Sequence, residues 1–219
     1  MITITRWLEI EEMIFKKIPK CIVNKKILEK LKDRGVEITD VLGKGHRGIV
    51  FKGRFKDKDV AIKIPRVDSP KNTIIHEAEV LRRIESYQIS PQVYDYDSDY
   101  LIMDYIDGEE LKSAISKLDD KSLLKVVEDI LKISIKLDTL GIEHGEIQGG
   151  RHFLIEGKRT YIIDFDKARI KKTTKNFTEA VSLLFGGGRI ASIVREKLNL
   201  TSEDIEFLMS IAKIYKKYR

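Results

Sequence analysis

The sequence predicts an α+β fold made of two lobes, and three observations support this class. Residues 36–65 alternate between β-branched, polar and glycine positions, as expected for a small antiparallel sheet. Residues 74–84 return to helical spacing, and beyond Gly108 the chain is mostly helical apart from one strand pair. A sheet with one helix followed by a run of helices is typical of α+β proteins. We expect a helical extension over residues 1–35, a sheet lobe with a connecting hinge over residues 36–106 and a reduced helical lobe over residues 107–219.

Composition and charge restrict the class of protein. The chain of 219 residues is 42% apolar and 35% charged, which is enough to bury a core and too apolar for disorder. Its 41 basic and 35 acidic residues give a net charge of +6, which suits a phosphate-rich ligand without proving one. The single cysteine, Cys21, excludes an internal disulfide and favours a reducing compartment. The charged first residues do not resemble a signal peptide and no apolar run reaches membrane-spanning length, so we expect a cytoplasmic protein with no membrane contact.

The first 35 residues predict two short helices. The second helix, over residues 24–33, begins at a capping asparagine and stops before Gly35. We interpret the first helix as packing against the next domain, in preference to a partner-binding module. Its apolar stripe, which Pro19 ends, consists of Trp7, Leu8, Ile10, Ile14, Phe15 and Ile18.

Lysines cluster near both ends of the sequence. Such clusters suit RNA or a ribosomal particle, but solvated helix faces also account for them and are the favoured interpretation. The clusters are Lys16, Lys17, Lys20, Lys25 and Lys26 near the start, and Lys213, Lys216, Lys217 and Arg219 at the end.

The remaining elements follow from local signals. Two strand-like pieces turn at residues 98–99, and another pair forms a hairpin at residues 156–157. Helical patterns cover residues 110–118 and 120–141, two further helices flank the glycines at 186–188, and Thr201 with Asp204 caps the last helix.

A glycine-rich segment carries the first chemical signal. Gly43, Gly45 and Gly48 form the pattern G-x-G-x-x-G, and strand-like residues continue after it, so we place this segment at a hairpin tip. Glycines at such a tip allow backbone N–H groups to lie close to triphosphate oxygens. Without further signals, an ordinary glycine hairpin would be the preferred interpretation.

A lysine in an otherwise apolar strand is the second signal. Lys63 lies in the run V-A-I-K, and a charge facing a lobe interior is costly unless it is paired. Glu77 on the following helix shares a face with Leu81 and Ile84, whereas Glu79 lies on the opposite side from Leu81. We therefore predict a Lys63–Glu77 ion pair that directs the ammonium at nucleotide phosphates.

Residues 101–108 form a strand that runs into a short turn. Between two lobes, such a segment can offer backbone N–H and C=O groups to an adenine edge, and Val50, Ala61 and Met103 can supply apolar walls for the ring. Taken alone, the segment is a buried strand.

Two carboxylates flank the later hairpin. Glu146 lies in the segment H-G-E-I-Q-G-G-R-H, and Asp164 begins the triplet D-F-D directly after a strand. Carboxylates that flank one hairpin in this way can converge on a substrate hydroxyl and a metal.

Together, the glycine loop, V-A-I-K, the helix glutamate, the H-G-E loop and D-F-D occur in an order that resembles the protein-kinase-like superfamily. The likeness covers about residues 36–168, and the H-G-E loop and short tail look most like archaeal predicted serine/threonine kinases related to the RIO and lipopolysaccharide-kinase branches. The resemblance implies a bilobal protein-kinase-like fold that uses ATP and Mg²⁺. It implies that Gly43, Gly45 and Gly48 cover the phosphates and that Lys63, held by Glu77, binds them. It also implies that Asp164 ligates Mg²⁺. Met103 would line the adenine pocket, and Asp104 to Ile106 would form the hinge.

Three residues depart from the family pattern. Glu146 replaces the catalytic aspartate, so its carboxylate lies one methylene further out, and a displacement of about 1 Å can slow catalysis by about 10²-fold. Arg151 replaces a metal-binding asparagine; it either neutralises phosphate charge, with Gln148 and His152 as substitute metal ligands, or is a surface arginine. Asp166 replaces glycine and either adds a metal-binding carboxylate or is a surface aspartate paired with Lys167 or Arg169.

The sequence therefore leads to one main functional hypothesis and two alternatives. The main hypothesis is an atypical ATP- and Mg²⁺-dependent phosphotransferase that acts on a serine or threonine hydroxyl of an unknown protein substrate, or on itself. The alternatives are an ATP-binding scaffold with negligible turnover, supported by Glu146 and Arg151, and a small-molecule kinase. From the short tail we expect no long activation segment, and we interpret His144 as a support for the catalytic-loop backbone.

Overall fold

The computed structural model describes residues 4–218 and divides into two compact units, the first ending at Tyr105 and the second beginning at Ile106. The first unit combines a sheet with helices, and the second is mostly helical with two small sheets. This architecture confirms the predicted α+β class.

The first unit is built on one antiparallel sheet of five strands. The strand order is β1-β2-β3-β5-β4, so the two strands that carry the glycine loop lie at one side and β3 lies in the middle. The elements are α1 (Ile4–Lys17), α2 (Lys25–Asp33), β1 (Glu37–Lys44), β2 (Gly48–Phe55), β3 (Lys58–Pro65), α3 (Ile74–Ile84), β4 (Val93–Tyr96) and β5 (Leu101–Asp104), with 3-10 turns at Lys20–Ile22 and Glu85–Tyr87.

The two N-terminal helices pack on this sheet, which confirms the packing interpretation. Side chains of α1 and α2 share one core with strand residues, and the predicted cap is present because Asn24 Oδ1 accepts a hydrogen bond from the Lys26 amide at 3.1 Å. The placement of Leu8 on the buried stripe was wrong, since its side chain is 60% exposed. A rotation of about 100° per residue turns Leu8 away from the buried row. That row consists of Trp7, Ile10, Ile14 and Ile18.

Several N-terminal lysines already have carboxylate partners. Lys16 pairs with Glu12 at 2.8 Å, and Lys17 pairs with Asp40 at 2.5 Å. Lys25 pairs with Glu11 at 3.3 Å. These pairs agree with the favoured interpretation of this cluster as a solvated helix face.

The second unit consists of helices around a central helix, with short strands beside them. Helix α6 contacts α5, α7 and α8, so it forms the centre of this core. The elements are β6 (Glu109–Glu110), α4 (Leu111–Ala114), α5 (Asp120–Thr139), β7 (Ile142–Glu143), a 3-10 turn at Ile147–Gly149, β8 (Phe153–Glu156), β9 (Arg159–Ile162), β10 (Arg169–Ile170), α6 (Asn176–Phe185), α7 (Arg189–Lys197) and α8 (Ser202–Tyr218).

The helix predicted over residues 110–118 is shorter than expected. Glu109 and Glu110 instead form β6, which pairs with β8, and only Leu111–Ala114 is helical. Pairing with β8 outweighs the local helix preference of Glu110, and residues 115–117 form a turn where the helix was expected to continue. A Cβ on Gly108 would lie 3.1 Å from Leu154 Cβ, so a side chain there would crowd this strand pairing.

No single helix within residues 4–218 is long and apolar enough to cross a membrane. The helices α6 and α7, bent by 66° at the break between them, reach that length and composition only as a pair.

Candidate functional site

The first unit contains a buried lysine–glutamate pair. Lys63 lies on the central strand β3, opposite Val50 on β2 and Leu101 on β5. Its Nζ lies 2.6 Å from Glu77 Oε2 on α3, and Lys63 is 5% exposed while Glu77 is fully buried. This confirms the predicted Lys63–Glu77 pair, and Glu79 is exposed as expected. A buried ion pair held this closely fixes the position of the ammonium group.

The glycine loop joins β1 to β2 and is fixed at its base. Gly45 N–H donates a hydrogen bond to the Gly48 carbonyl at 2.8 Å. Arg66 Nη1 donates to the Gly45 carbonyl at 2.9 Å, and the Arg66 amide donates to the Arg47 carbonyl at 3.0 Å. The Arg66 guanidinium is itself oriented by two hydrogen bonds to Asp68, at 2.8 and 2.6 Å. The sequence interpretation missed the contact of Arg66 with the glycine loop. The one feature that could have indicated it is the position of Arg66 directly after Pro65, the last residue of β3.

The three glycines of the loop differ in the space around them. A Cβ on Gly48 would lie 3.1 Å from Lys63 Cε and 3.1 Å from the Ile64 carbonyl oxygen. A Cβ on Gly43 would meet nothing within 4 Å, and one on Gly45 would make an ordinary contact at 3.5 Å. A side chain at Gly48 would therefore crowd Lys63 and the β3 backbone, whereas the other two positions have room for one.

These differences give a testable prediction. We expect Gly48→Ala to lower the free energy of unfolding by about 1–3 kcal/mol, because the methyl group must displace Lys63 or the β3 backbone. Gly43→Ala should leave stability unchanged within about 0.5 kcal/mol, so a loss of nucleotide affinity in Gly43→Ala would report close approach of a ligand. Chemical denaturation and nucleotide titration of both variants measure these effects. Equal destabilisation by the two substitutions would contradict this account of the loop.

Three residues were predicted to line an adenine pocket. Ala61 on β3 lies directly opposite Met103 on β5, and both side chains are buried. Val50 on β2 is half-buried. Sheet register therefore brings Ala61 and Met103 together, as their predicted common role requires.

The segment predicted as a hinge begins at Asp104. The Asp104 amide donates to the Gln92 carbonyl at 2.9 Å, and its carboxylate accepts hydrogen bonds from the Gln92 amide and the Tyr94 hydroxyl. Burial and the nearby Asp104 carboxylate raise the pKa of Tyr94 to about 12. The Asp104 N–H is thus used within the first unit, and Ile106 is the first residue of the second unit.

In the second unit, Glu146 directly precedes the 3-10 turn Ile147–Gly149 and is bound by two cations. Glu146 Oε1 accepts hydrogen bonds from Arg151 Nη2 at 2.9 Å and from Lys167 Nζ at 2.8 Å. Burial raises the pKa of Glu146, but the hydrogen bond from Lys167 and the nearby positive charges outweigh it and hold this pKa below its usual range. Glu146 is therefore an ionised group, suited to orienting a hydroxyl and poor at retaining a proton.

Arg151 is exposed, as the surface-arginine interpretation expected, and its neutralisation of phosphate charge stays a prediction. Its guanidinium is exposed, yet it bonds to Glu146 and also donates from Nε to His152 Nε2 at 3.0 Å. Because His152 Nε2 accepts this bond, the imidazole proton lies on Nδ1. His152 Nδ1 lies 3.7 Å from Asp164 Oδ2.

Glu146, His152 and Asp164 form one cluster, hereafter the acidic cluster, with ligand atoms within 4.8 Å of one another. Burial lowers the pKa of His152 although the two carboxylates act in the opposite direction, so the imidazole is neutral. The two carboxylates are suitable ligands for a divalent cation, and Mg²⁺ prefers such oxygens, whereas the His152 lone pair already accepts the hydrogen bond from Arg151. Asp164 fits such an ion best, because Glu146 is already neutralised by Arg151 and Lys167.

Asp166 lies outside the acidic cluster. The side chain is 8% exposed, so it is not the surface aspartate of the alternative interpretation, and the nearby Lys167 bonds to Glu146. Its role as a metal ligand stays a prediction.

The D-F-D triplet is held in place by its buried phenylalanine, Phe165. Asp164 has a φ of +65°, a left-handed conformation that costs energy in a residue with a side chain and is concentrated at functional sites. Phe165 is fully buried and makes an edge-on contact with the His144 ring, with centroids 4.8 Å apart. The buried phenylalanine holds the strained Asp164 in place.

His144 supports this same segment, so its side chain has a structural role, although it bonds to the strand before the D-F-D triplet and not to the catalytic-loop backbone that was predicted. His144 Nε2 donates to the Ile163 carbonyl at 3.0 Å, so Nδ1 is unprotonated. Nδ1 is buried and has no hydrogen-bond partner in the described part of the chain. Burial lowers the pKa of His144 to about 4.

The low pKa of His144 predicts a pH dependence of stability. A group whose folded pKa lies below its unfolded value of about 6.5 must bind a proton on unfolding in acid, so stability is complete above pH 6.5 and falls as the pH drops toward 4. We expect this group to account for a loss of about 3 kcal/mol across that window. His144→Gln can still donate to the Ile163 carbonyl but does not titrate, so its unfolding free energy should vary less between pH 6.5 and 4. An identical pH profile in denaturant titrations of both proteins would contradict the assignment.

A network behind His144 was missed by the sequence interpretation. Asn176 Oδ1 accepts a hydrogen bond from the His144 amide at 2.9 Å, and Asn176 Nδ2 donates to the Ile142 carbonyl and to Asp138 Oδ1. Asp138 is fully buried and also accepts bonds from Thr174 Oγ1, the Asn176 and Phe177 amides, and the Tyr215 hydroxyl. The available signals were an aspartate within the apolar pattern of the long helix and the polar run T-T-K-N before α6.

The chain is similar in sequence to known protein kinases. The model of the family described as protein tyrosine and serine/threonine kinase matches residues 36–181. Protein MJ1211 of Methanocaldococcus jannaschii is 70% identical over 115 residues, which is 52% of this chain and 99% of that protein. The KEOPS complex subunit Bud32 of Pyrococcus abyssi is 35% identical over 130 residues, 57% of each chain, and mitogen-activated protein kinase kinase 7 of Arabidopsis thaliana is 30% identical over 148 residues, 62% of this chain and 47% of that one. The chain thus spans about half the length of these last two relatives. It belongs to the protein tyrosine and serine/threonine kinase family.

Proposed function

We propose that this protein is a phosphotransferase that uses ATP and Mg²⁺ to phosphorylate a serine or threonine hydroxyl, on another polypeptide or on itself. The observation that carries the proposal is the buried Lys63–Glu77 pair, because it fixes the position of an ammonium group, and a fixed cation of this kind can bind nucleotide phosphates. Family membership supports phosphate transfer in general. Transfer to serine or threonine and the use of Mg²⁺ are the proposed refinements.

The proposed reaction assigns a role to each group. Lys63 binds the α- and β-phosphates of ATP, and Gly43, Gly45 and Gly48 allow backbone N–H groups to approach them. The acceptor oxygen forms a bond to the γ-phosphorus, the bond from that phosphorus to the β–γ bridging oxygen breaks, and ADP leaves. Glu146 orients the acceptor hydroxyl, and the hydroxyl proton passes to the phosphate or to solvent because the low pKa of Glu146 does not favour retaining it.

Magnesium would be held by Asp164, with His152 and Glu146 beside it. When bound, it neutralises phosphate charge. Lys167 and Arg151 keep the Glu146 carboxylate in a fixed orientation next to this position.

The proposal is tested by incubating the purified protein with γ-labelled ATP and a mixture of serine and threonine peptides, with and without Mg²⁺. We expect label on the peptides or on the protein only when Mg²⁺ is present. Label that appears equally in excess EDTA would overturn the role of the metal, and no label on any acceptor would overturn the proposed activity.

A second candidate is an ATP-binding scaffold with negligible turnover. The specific observation in its favour is that Arg151 and Lys167 both donate hydrogen bonds to Glu146 Oε1, so this oxygen is already engaged. The relative Bud32 is described as a subunit of a complex, which is compatible with such a role.

The substitutions Glu146→Asp and Arg151→Asn, made together, separate the two candidates. Under the proposed activity, the wild-type rate is measurable and falls about tenfold in the double variant, because the carboxylate moves back by one methylene and loses one of its two cations. Single-turnover transfer of label measures both rates. An undetectable wild-type rate together with a clearly measurable rate in the double variant would instead favour the scaffold.

A further inference from the structure

A cavity in the second unit lies next to the segment that follows Glu146. Its volume is about 360 Å³, which is within the range of small-ligand and side-chain pockets. The 3-10 turn contributes Gln148 and Gly149, and α4 contributes Lys112. The break between α6 and α7 contributes Gly187 and Gly188, and α7 contributes its first residue, Arg189. The cavity has no role in the proposed reaction.

The cavity is positively charged. Lys112 and Arg189 line it, no acidic residue lies among its lining residues, and neither cation has an ion-pair partner within residues 4–218. The remaining polar side chains are the Gln148 amide and the Ser182 hydroxyl, which are both able to donate hydrogen bonds.

Arg189 occupies a position that helix stability does not explain. It is the first residue of α7, where the helix dipole disfavours a positive charge. By contrast, Arg195 and Lys197 lie in the last turn of the same helix, where the dipole favours them. An anion bound beside Arg189 would offset the repulsion between the Arg189 charge and the positive end of the helix dipole.

The wall of the cavity packs directly on the loop that carries Glu146. Gly150 has a φ of +66°, and a Cβ there would lie only 2.6 Å from Ile190 Cδ1. Gln148 is two residues from Glu146 along the chain. A polypeptide whose hydroxyl lies at Glu146 can therefore reach the cavity within about two to four residues, since each extended residue spans about 3.3 Å.

We propose that this cavity binds a phosphate group already present on the polypeptide acceptor, two to four residues from the hydroxyl that is phosphorylated. The inference rests on the proposed function and specifies its substrate class. A phosphomonoester carries a charge close to −2 and three acceptor oxygens, which match two unpaired cations and the planar donors of Arg189 better than a single carboxylate does. One phosphorylation would then prepare the acceptor for the next.

The test uses binding without ATP, so that it does not depend on turnover. Three fluorescein-labelled peptides share one sequence with a central serine and carry phosphoserine, aspartate or serine three residues away. Fluorescence anisotropy should show that the phosphoserine peptide binds about tenfold more tightly than either of the others. Binding should weaken as salt rises, because the contacts are partly exposed ion pairs.

Charge reversal in the cavity provides the matched variants. Lys112→Glu with Arg189→Glu should reduce binding of the phosphoserine peptide by at least about tenfold, to the level of the serine peptide. Lys121→Glu with Arg195→Glu makes the same change in net charge on exposed helix positions outside the cavity and should preserve the preference. Gly187→Leu adds bulk where a Cβ meets nothing within 4 Å and should also weaken phosphopeptide binding without a change of charge.

The outcomes distinguish failure of this inference from failure of the proposed function. Equal affinity for all three peptides, or an aspartate peptide that binds as tightly as the phosphoserine peptide, would overturn the phosphate site. Equal loss of binding in the control variant would overturn it as well. If the preference is present and depends on Lys112 and Arg189, but no peptide is phosphorylated, the site is supported and the proposed activity fails.

Discussion

Replacing Lys63 with methionine is expected to lower phosphate transfer by at least about 10²-fold and to destabilise the protein by about 3–5 kcal/mol. The loss of activity follows from removing the cation that contacts the phosphates. The loss of stability follows because Glu77 is fully buried and its carboxylate, 2.6 Å from Lys63 Nζ, would lose that counter-ion. Transfer from labelled ATP and denaturant unfolding measure the two effects.

A second variant separates the two effects. Lys63→Met combined with Glu77→Leu replaces the ion pair by apolar side chains of similar volume, and such replacements are neutral or stabilising in other proteins. We expect this double variant to recover the free energy of unfolding of the wild type while phosphate transfer stays at the level of Lys63→Met. Recovery of activity together with stability would show that the lysine acts only through the fold.

Replacing Asp138 with alanine is expected to destabilise the protein by at least about 4 kcal/mol. The Asp138 carboxylate accepts bonds from Thr174, Asn176, Phe177 and Tyr215, and buried donors left unpaired each cost about 1–3 kcal/mol. Thermal and denaturant unfolding measure the change. Because Asn176 also holds the His144 amide, any folded fraction of this variant should transfer phosphate more slowly than the wild type.

Glu128→Ala is the matched control on the same helix. Glu128 is exposed and forms an ion pair with Lys132 one turn away, so its removal should leave the melting temperature close to that of the wild type. If Asp138→Ala were as stable as Glu128→Ala, the buried network would not be the support of the His144 segment that we infer.

Features set by local periodicity could be predicted from the sequence. Lys63 could be placed in a buried strand and Glu77 on the inward face of a helix, because the spacing of apolar residues around each of them matches a strand and a helix, respectively. The Asn24 cap, the hairpin at residues 156–157 and the Thr201–Asp204 cap depend on neighbouring residues and are present. Leu8 was wrongly placed on the buried face of α1, because the apolar residues of this helix cover a wider face than the part that packs on the sheet.

Features set by contacts between distant segments could not be predicted in the same way. Nothing local to Arg151 and Lys167 indicates that both bind Glu146, because the loop and the D-F-D segment meet only in the folded unit. The same holds for Asn176 and His144, which belong to different elements. The strand at Glu109–Glu110 likewise depends on the presence of β8 rather than on its own residues.

The most direct test of the central claim is a calorimetric titration of ATP with Mg²⁺ into the wild type and into the stable Lys63→Met, Glu77→Leu variant. The account predicts saturable binding to the wild type and at least about tenfold weaker binding to the variant, with both proteins equally folded before titration. Equal ATP affinity in the two proteins would contradict the claim that the buried lysine of β3 binds the nucleotide phosphates.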